Sequence, residues 1–200
     1  MFQTTNLIGF GAGVGERGFT FTQSTESEWS GTLSQYTFNG AHVEGETAGS
    51  NNGIRTDDTF SADFAYDATW KVDIPDTQAC TGVFNNAEPT AAWSGSVIAG
   101  NLNNMGTNNS FWWIATSSTN MKMYSGGNLD ATIDMPDPND VTRFRRSGGT
   151  FTFEHDTGGD GDFSVAHTFT GTNSSATFRI HLCLYAAADD LNSVQWGPAA

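Results

Sequence analysis

The side chains best suited to chemistry are the carboxylates of the glycine-rich stretch from Glu154 to Asp162. Calcium takes about six to eight oxygen ligands, and Asp156, Asp160 and Asp162 are candidates to supply some of them. The stretch departs from the calcium-loop pattern, in which carboxylates stand at alternate positions. We therefore interpret it as an acidic hairpin turn, and we expect no metal and no other cofactor.

The remaining reactive residue types form no recognisable catalytic set. The four histidines, at positions 42, 155, 167 and 181, lack close metal-ligand spacing such as His-x-x-x-His, so we expect structural or surface roles. His181 alternates with Ile180 and Leu182 and should face away from them. A nucleophile elbow, a phosphate-binding loop and a dinucleotide fingerprint are all missing from the sequence. The sequence thus predicts no catalytic residues and a protein that is not an enzyme.

Two adjacent tryptophans and a group of arginines are the candidates for partner contact. Trp112 and Trp113 are neighbours on a predicted strand, so their side chains face opposite sides of a sheet. We favour packing in the core or in an interface as the role of these tryptophans. The alternative is stacking on a sugar ring, and under it both residues are candidate glycan contacts. For Arg143, Arg145 and Arg146 we favour ion pairs within the chain over contact with an anionic partner.

Charge and composition restrict the class of protein. Eight basic against 22 acidic residues give a formal charge of −14, which repels phosphate backbones and anionic lipid heads. Because of this charge we do not expect nucleic acid as a partner. We do not expect a membrane either, since no stretch approaches the ~20 apolar residues of a membrane span. The N-terminus also lacks the pattern of a signal peptide. Cys80 and Cys183 are too few for a disulfide framework and are expected to be buried free thiols.

Residues 1–18 are expected to be separate from the rest of the chain. Leu7, Ile8 and Phe10 are followed by closely spaced glycines, a composition too flexible for a stable element on its own. We interpret this segment as either a frayed terminus or an arm whose three apolar residues dock on a neighbouring subunit. Residues 19–200 are predicted to form one domain.

The elements that position these residues are β-strands. Period-two alternation predicts strands at 141–147, 150–155, 163–169 and 177–185, with further strands upstream at 33–38, 80–84, 92–98, 110–117, 121–124 and 129–133. Residues 59–74 alternate as well, with a bend or bulge predicted at Asp67-Ala68. Gly148 and Gly149 predict a two-residue hairpin turn. This pattern favours an all-β protein, a two-sheet antiparallel sandwich of jelly-roll type.

The segment RFRRSGGTFTFEHDTGGD from Arg143 to Asp160, followed by Phe163 and the strand FRIHLCLY from Phe178, resembles the concanavalin A-like lectin and glucanase superfamily, which includes laminin-G-like modules. The likeness covers roughly residues 59–196. It implies a jelly roll of two curved sheets, one of them concave, on which many members bind carbohydrate.

The resemblance also supplies two active-site patterns for comparison. Glucan hydrolases of this superfamily carry Glu-x-Asp-x-x-Glu on one strand, because retaining hydrolysis needs a nucleophile and an acid. Here Glu154 and Asp156 match, whereas Gly159 occupies the last position. Legume lectins hold a transition metal and calcium with a related string, of which Glu154, Asp156 and Thr157 match. Val165 and Thr170 occupy the spacings of later ligands, so both sets are incomplete.

The function we expect from this resemblance is structural. The leading interpretation is a bacteriophage virion protein, a capsid decoration, head-fibre or tail-associated subunit that assembles in the host cytoplasm. Its partners would be other virion proteins and copies of itself, with carbohydrate as a further partner through host glycans. The alternatives are a free carbohydrate-binding lectin, with or without calcium, and a glucan hydrolase.

Overall fold

The computed structural model describes residue 19 and residues 21–46, 53–70, 79–86, 110–115, 119–126, 128–172, 176–184 and 190–199. Within these ranges the chain forms fifteen β-strands and two short 3-10 helices. The strands are β1 Thr22–Gln23, β2 Trp29–Gly31, β3 Tyr36–Asn39, β4 His42–Gly45, β5 Ile54–Thr56, β6 Phe64–Trp70, β7 Cys80–Asn85, β8 Phe111–Ala115, β9 Asn120–Ser125, β10 Asn128–Asp134, β11 Val141–Ser147, β12 Thr150–Asp156, β13 Ser164–Thr172, β14 Phe178–Cys183 and β15 Asp190–Pro198; the helices are Glu26–Glu28 and Leu33–Gln35.

The strands form two antiparallel sheets. The larger has eight strands in the order β13-β12-β11-β6-β15-β4-β3, with β1 also paired to β15. The smaller has seven strands in the order β10-β9-β8-β7-β14-β5-β2. Sequence neighbours pair in hairpins such as β11–β12, whereas β6–β15 joins distant parts of the chain. The predicted two-sheet sandwich is confirmed.

Aromatic side chains from the two sheets meet in one core. Phe111 of the smaller sheet stacks on Phe151 of the larger, with ring centroids 4.2 Å apart. Phe144 stacks on Tyr66 within the larger sheet, and all four rings are buried. Burying such a side chain stabilises the fold by about 1.5–3 kcal/mol, so the aromatic alternation accounts for much of the adhesion between the layers.

The hairpin turn predicted at Gly148-Gly149 is confirmed. Both glycines have positive φ, +57° and +91°, as a two-residue turn between β11 and β12 requires. The turn fixes the register of the hairpin, in which Phe144 lies opposite Phe153 and Arg143 opposite Glu154. One face of the hairpin therefore carries the core residues Phe144 and Phe153, and the other carries the charged pair Arg143 and Glu154.

Three details differ from the sequence-based expectation. The strand predicted at 33–38 is split, because Leu33–Gln35 forms a 3-10 turn and pairing begins at Tyr36. β6 continues through Asp67-Ala68 without the expected bend, since Phe64, Tyr66 and Ala68 all share the inward parity. The register shift lies instead on β15, between Leu191 and Ser193. The strand expected at 92–98 and the arm at 1–18 lie outside the described residues.

Candidate functional site

The outer face of the larger sheet carries a line of charged and polar side chains across its centre. Core-facing residues of β6 and β11 alternate with Asp67 and Arg143, which lie directly opposite each other. Arg143 is also opposite Glu154 on β12, and Gln195 of β15 is opposite Asp67. We name these residues, together with Thr152, Arg145 and Phe163, the central cluster.

A bidentate ion pair holds the middle of the central cluster. The Arg143 guanidinium donates from Nε to Asp67 Oδ1 at 2.7 Å and from Nη2 to Oδ2 at 3.0 Å. Gln195 Nε2 donates to the same Oδ2 at 3.3 Å. Asp67 and Arg143 are only 3% and 5% exposed, so the pair is desolvated and depends on this geometry. Removing either partner would leave a buried charge without its counterpart.

Three phenylalanine rings surround the Arg143 guanidinium. Its central carbon lies 3.7 Å from the centroid of Phe163, 5.5 Å from Phe21 and 5.7 Å from Phe19. Arg145 lies 5.6 Å from the same Phe19 ring. Cation–π contacts of this kind stabilise most where water is excluded. The rings are half-buried, so they form an apolar border beside the charged centre.

The two carboxylate oxygens of Glu154 differ in their hydrogen bonding. Its Oε1 accepts a hydrogen bond from the Thr152 hydroxyl at 2.9 Å and lies 3.7 Å from Arg145 Nη1. Its Oε2 is shielded from solvent and has no hydrogen-bond partner in the described structure. The residue is 4% exposed, and a buried acceptor without a partner costs about 1–3 kcal/mol. The second oxygen of Glu154 thus keeps acceptor capacity, although it is shielded from solvent in this conformation.

The acidic stretch after β12 is a turn closed by its own carboxylates. Asp156 accepts backbone N–H donors from Asp160 at 3.1 Å and Gly161 at 2.9 Å, one on each oxygen. The three aspartates proposed above as calcium ligands do not bring their oxygens together as a metal-binding group within the described residues. Backbone N–H groups therefore occupy one acceptor site on each oxygen of Asp156 and hold that carboxylate in the turn.

Asp140 closes the opposite side of this turn. It accepts N–H donors from Gly158 at 2.7 Å and Asp137 at 2.8 Å, and it pairs with His155 Nε2 at 2.7 Å. Burial by itself would raise the pKa of Asp140, but these hydrogen bonds and the neighbouring imidazole outweigh it and lower that pKa. Backbone hydrogen bonds thus hold both buried carboxylates, Asp140 and Asp156, in the turn.

The structure places the tryptophans on opposite faces of the smaller sheet, as their adjacency predicts. Trp113 lies in the core between the sheets. Trp112 lies on the outer face, stacked on Tyr124 with ring centroids 4.4 Å apart, and donates from Nε1 to the carbonyl of Gly126. Both indoles are 0% exposed, so neither offers a face to a sugar in this conformation. The glycan-contact assignment of these two residues stays a prediction that the structure does not favour.

The arginines form contacts within the chain. Arg143 and Arg145 pair with Asp67 and Glu154, and Arg146 Nη1 donates to the carbonyls of Ala62 and Ala176. The structure thus contains the contacts within the chain that the sequence favours for this group. The other interface candidates, Leu7, Ile8 and Phe10, lie outside the described residues.

A second polar group lies on the same face of the larger sheet, toward its β3 edge. His42, Glu44 and Asp190 each offer a ligand atom, and these atoms lie within 4.8 Å of one another. His42 and Glu44 alternate along β4, and Asp190 of β15 is opposite Glu44. Sequence reasoning missed the group because Asp190 lies far away in the chain; the only local signal is the alternation of His42 and Glu44.

The comparisons with known proteins show the fold. The exoplasmic, lumenal domain of VIP36 with Ca2+ and Man3GlcNAc bound aligns with a TM-score of 0.54 at 11% identity, over 90% of this chain and 84% of that one. The metal-free form of that domain gives the same TM-score, identity and coverage. A legume lectin-like domain from Entamoeba histolytica gives 0.53 at 7% identity, over 92% and 91%. No protein-family model and no curated protein sequence matches this chain.

The predicted concanavalin A-like jelly-roll sandwich is therefore confirmed as the fold of this chain. Identities of 7–11% show the architecture and leave the ligand to be argued from the residues. Among the residues described, no helix has the length and apolar character to cross a membrane. The structures named above include no virion protein, so the virion assignment and its localisation remain predictions.

Proposed function

We propose that this protein binds carbohydrate without changing it covalently, through the central cluster on the outer face of the eight-stranded sheet. The observation that carries the proposal is the buried Glu154 carboxylate, whose Oε2 has no hydrogen-bond partner in the described structure. A sugar hydroxyl is a neutral donor that satisfies such an oxygen without introducing a second charge, once the side chains that shield the oxygen from solvent move aside. Ligand sites combine a few well-placed polar groups with an apolar surround, and the central cluster has both.

The neighbours of Glu154 suit the rest of a sugar ring. Arg145 is about a third exposed and supplies donors beside the carboxylate, so a pair of adjacent hydroxyls can bond to both side chains. The half-buried rings of Phe163 and Phe19 supply apolar surface for the C–H face of the sugar. The fold supports this assignment, because the VIP36 domain that shares it holds Man3GlcNAc.

The absence of covalent chemistry is part of the proposal. Retaining hydrolysis requires a second carboxylate about 5–5.5 Å from the first, free to act as acid. Asp156 shares the outward parity of Glu154, but its two oxygens accept backbone N–H groups in the turn. We therefore assign Glu154 to ligand recognition rather than to catalysis, because the backbone of the turn holds Asp156, the candidate second carboxylate of a glucan hydrolase.

A glycan array followed by calorimetry with the best-bound sugar tests the proposal. We expect Glu154→Gln to weaken binding at least tenfold, because the amide replaces one acceptor oxygen with a donor. Asp134→Asn is the matched control, since it makes the same change on an exposed strand of the other sheet. We expect the control to bind as the unchanged protein does. We also expect the unchanged protein to release no new reducing ends from the glycan that it binds.

Two results would contradict the proposal. Absence of binding to any glycan by the folded protein would remove carbohydrate as the ligand. Equal loss in Glu154→Gln and Asp134→Asn would show a general charge effect rather than a site. Repeating the titration with a chelator separates the calcium-assisted lectin, for which binding disappears, from the site proposed here, for which binding persists.

A further inference from the structure

We propose that His42, Glu44 and Asp190 form a binding site for a divalent first-row transition metal, with Zn2+ as the best match. The site goes beyond the carbohydrate proposal and does not depend on it. It joins strands β4 and β15, on the side of the larger sheet away from the acidic turn after β12.

The backbone places the three side chains on one face. His42 and Glu44 are two positions apart on β4, so both point outward while Val43, between them, is buried in the core. Asp190 is directly opposite Glu44 in the β4–β15 pairing. Directly opposed residues on neighbouring strands have Cβ atoms about 4.5–5.5 Å apart, close enough for their ligand atoms to converge.

The distances within the group suit a metal better than a hydrogen bond. His42 Nε2 lies 3.5 Å from Asp190 Oδ2, and Nε2 is shielded from solvent without a hydrogen-bond partner among the described residues. Zinc bonds of about 2.0–2.2 Å at tetrahedral angles separate neighbouring ligand atoms by about 3.4 Å. All three ligand atoms already lie within 4.8 Å of one another, so small side-chain rotations would bring them to that spacing.

The ligand types select the class of metal. One imidazole and two carboxylates suit zinc and its neighbours, whereas calcium requires six to eight oxygens and magnesium keeps most of its water. Three protein ligands leave a fourth tetrahedral position for water or for a ligand oxygen. The two carboxylates also neutralise the charge of the ion, which favours retention at a partly buried place.

Calorimetric titration of untagged, chelator-stripped protein with zinc chloride tests the site. We expect one zinc per chain, a raised unfolding temperature, and no response to calcium. Cobalt(II) should give the intense visible absorption of a tetrahedral ion.

Three variants connect the binding to these residues. His42→Gln and Glu44→Gln should each lower zinc affinity at least tenfold and abolish the cobalt spectrum. His167→Gln is the matched control, because it removes a histidine that pairs with Asp130 elsewhere, and it should bind zinc normally. Circular dichroism confirms that each variant is folded, and Glu44→Gln serves as the second probe if His42→Gln is not.

The proposal is overturned if the folded protein binds no zinc at high micromolar concentration. It is also overturned if all three variants, including the control, lose zinc affinity equally. Zinc binding would then not depend on this group in particular, and the group would be an ion pair only. Glycan binding is measured separately, so failure of the carbohydrate proposal leaves the zinc titration interpretable.

Discussion

Single residues on the outer faces of this sandwich are unusual in being both polar and buried. Asp67, Arg143 and Glu154 are all less than 6% exposed although they point away from the core between the sheets. On the smaller sheet His181 is 1% exposed, with its ring stacked on Phe84 at 4.7 Å. Each such group affects folding or binding more than an exposed one would, because water does not screen it.

His181 gives a prediction about pH. Burial, and then the nearby positive charges of Arg55 and Arg179, lower its pKa to about 3. Between that value and about 6.5 the unfolded chain binds a proton that the folded chain does not, so this group lowers stability as pH falls. We expect the free energy of unfolding to decrease by about 1.4 kcal/mol per pH unit in this window.

Urea denaturation at several pH values measures this effect. His181→Gln, which has no proton to gain, should flatten the dependence. A slope that His181→Gln does not alter would show that other groups set the acid sensitivity.

At the scale of elements, close approach between strands constrains the sequence. Gly82 of β7 is opposite Trp112 of β8. A Cβ added there would lie 2.4 Å from the carbonyl oxygen of Phe111 and 2.5 Å from Trp112 Cβ. The glycine thus lets β7 approach the backbone of β8 closely at Trp112, whose indole stacks on Tyr124 of β9.

We expect Gly82→Ala to destabilise the protein by about 3 kcal/mol, because backbone atoms would have to move. Gly40→Ala is the control, since Gly40 has φ +63° but nothing within 4 Å of an added Cβ. It should cost only about 1 kcal/mol for the left-handed backbone. Thermal unfolding ranks the two, and a cost for Gly82→Ala no larger than that of the control would refute the steric argument.

At the scale of the whole molecule, the two sheets are joined by aromatic contacts. Phe111 of the smaller sheet lies against Phe151 and Phe169 of the larger, at 4.2 and 5.4 Å between ring centroids. This contact lies on the far side of the larger sheet from the central cluster. Packing between the two sheets therefore supports the central cluster from behind.

Phe111→Ala should destabilise the fold by about 3–5 kcal/mol, because it removes a fully buried ring and leaves a cavity between the sheets. Leu129→Ala is the control on the same sheet, where the side chain is 52% exposed, and should change stability by less than about 0.5 kcal/mol. Chemical denaturation measures both. Similar costs for the two variants would mean that the sheets are not joined at this contact.

Sequence by itself determined which side chains face inward, because alternation in an extended chain is a local property. It placed the β11–β12 hairpin with its glycine turn, the opposite faces of Trp112 and Trp113, and the outward direction of His181. It misplaced a bend at Asp67-Ala68, because a weakly apolar alanine interrupted the hydrophobic signal but not the parity.

Only the tertiary structure decided which distant residues meet. Asp67 and Arg143 become partners because β6 and β11 are neighbours, and His42 meets Asp190 because β15 returns to pair with β4. Both strand pairings join segments far apart in the chain, and cross-strand register cannot be read from the local pattern of either strand. The buried outer-face charges, and hence the candidate sites, therefore arise from topology rather than from any motif.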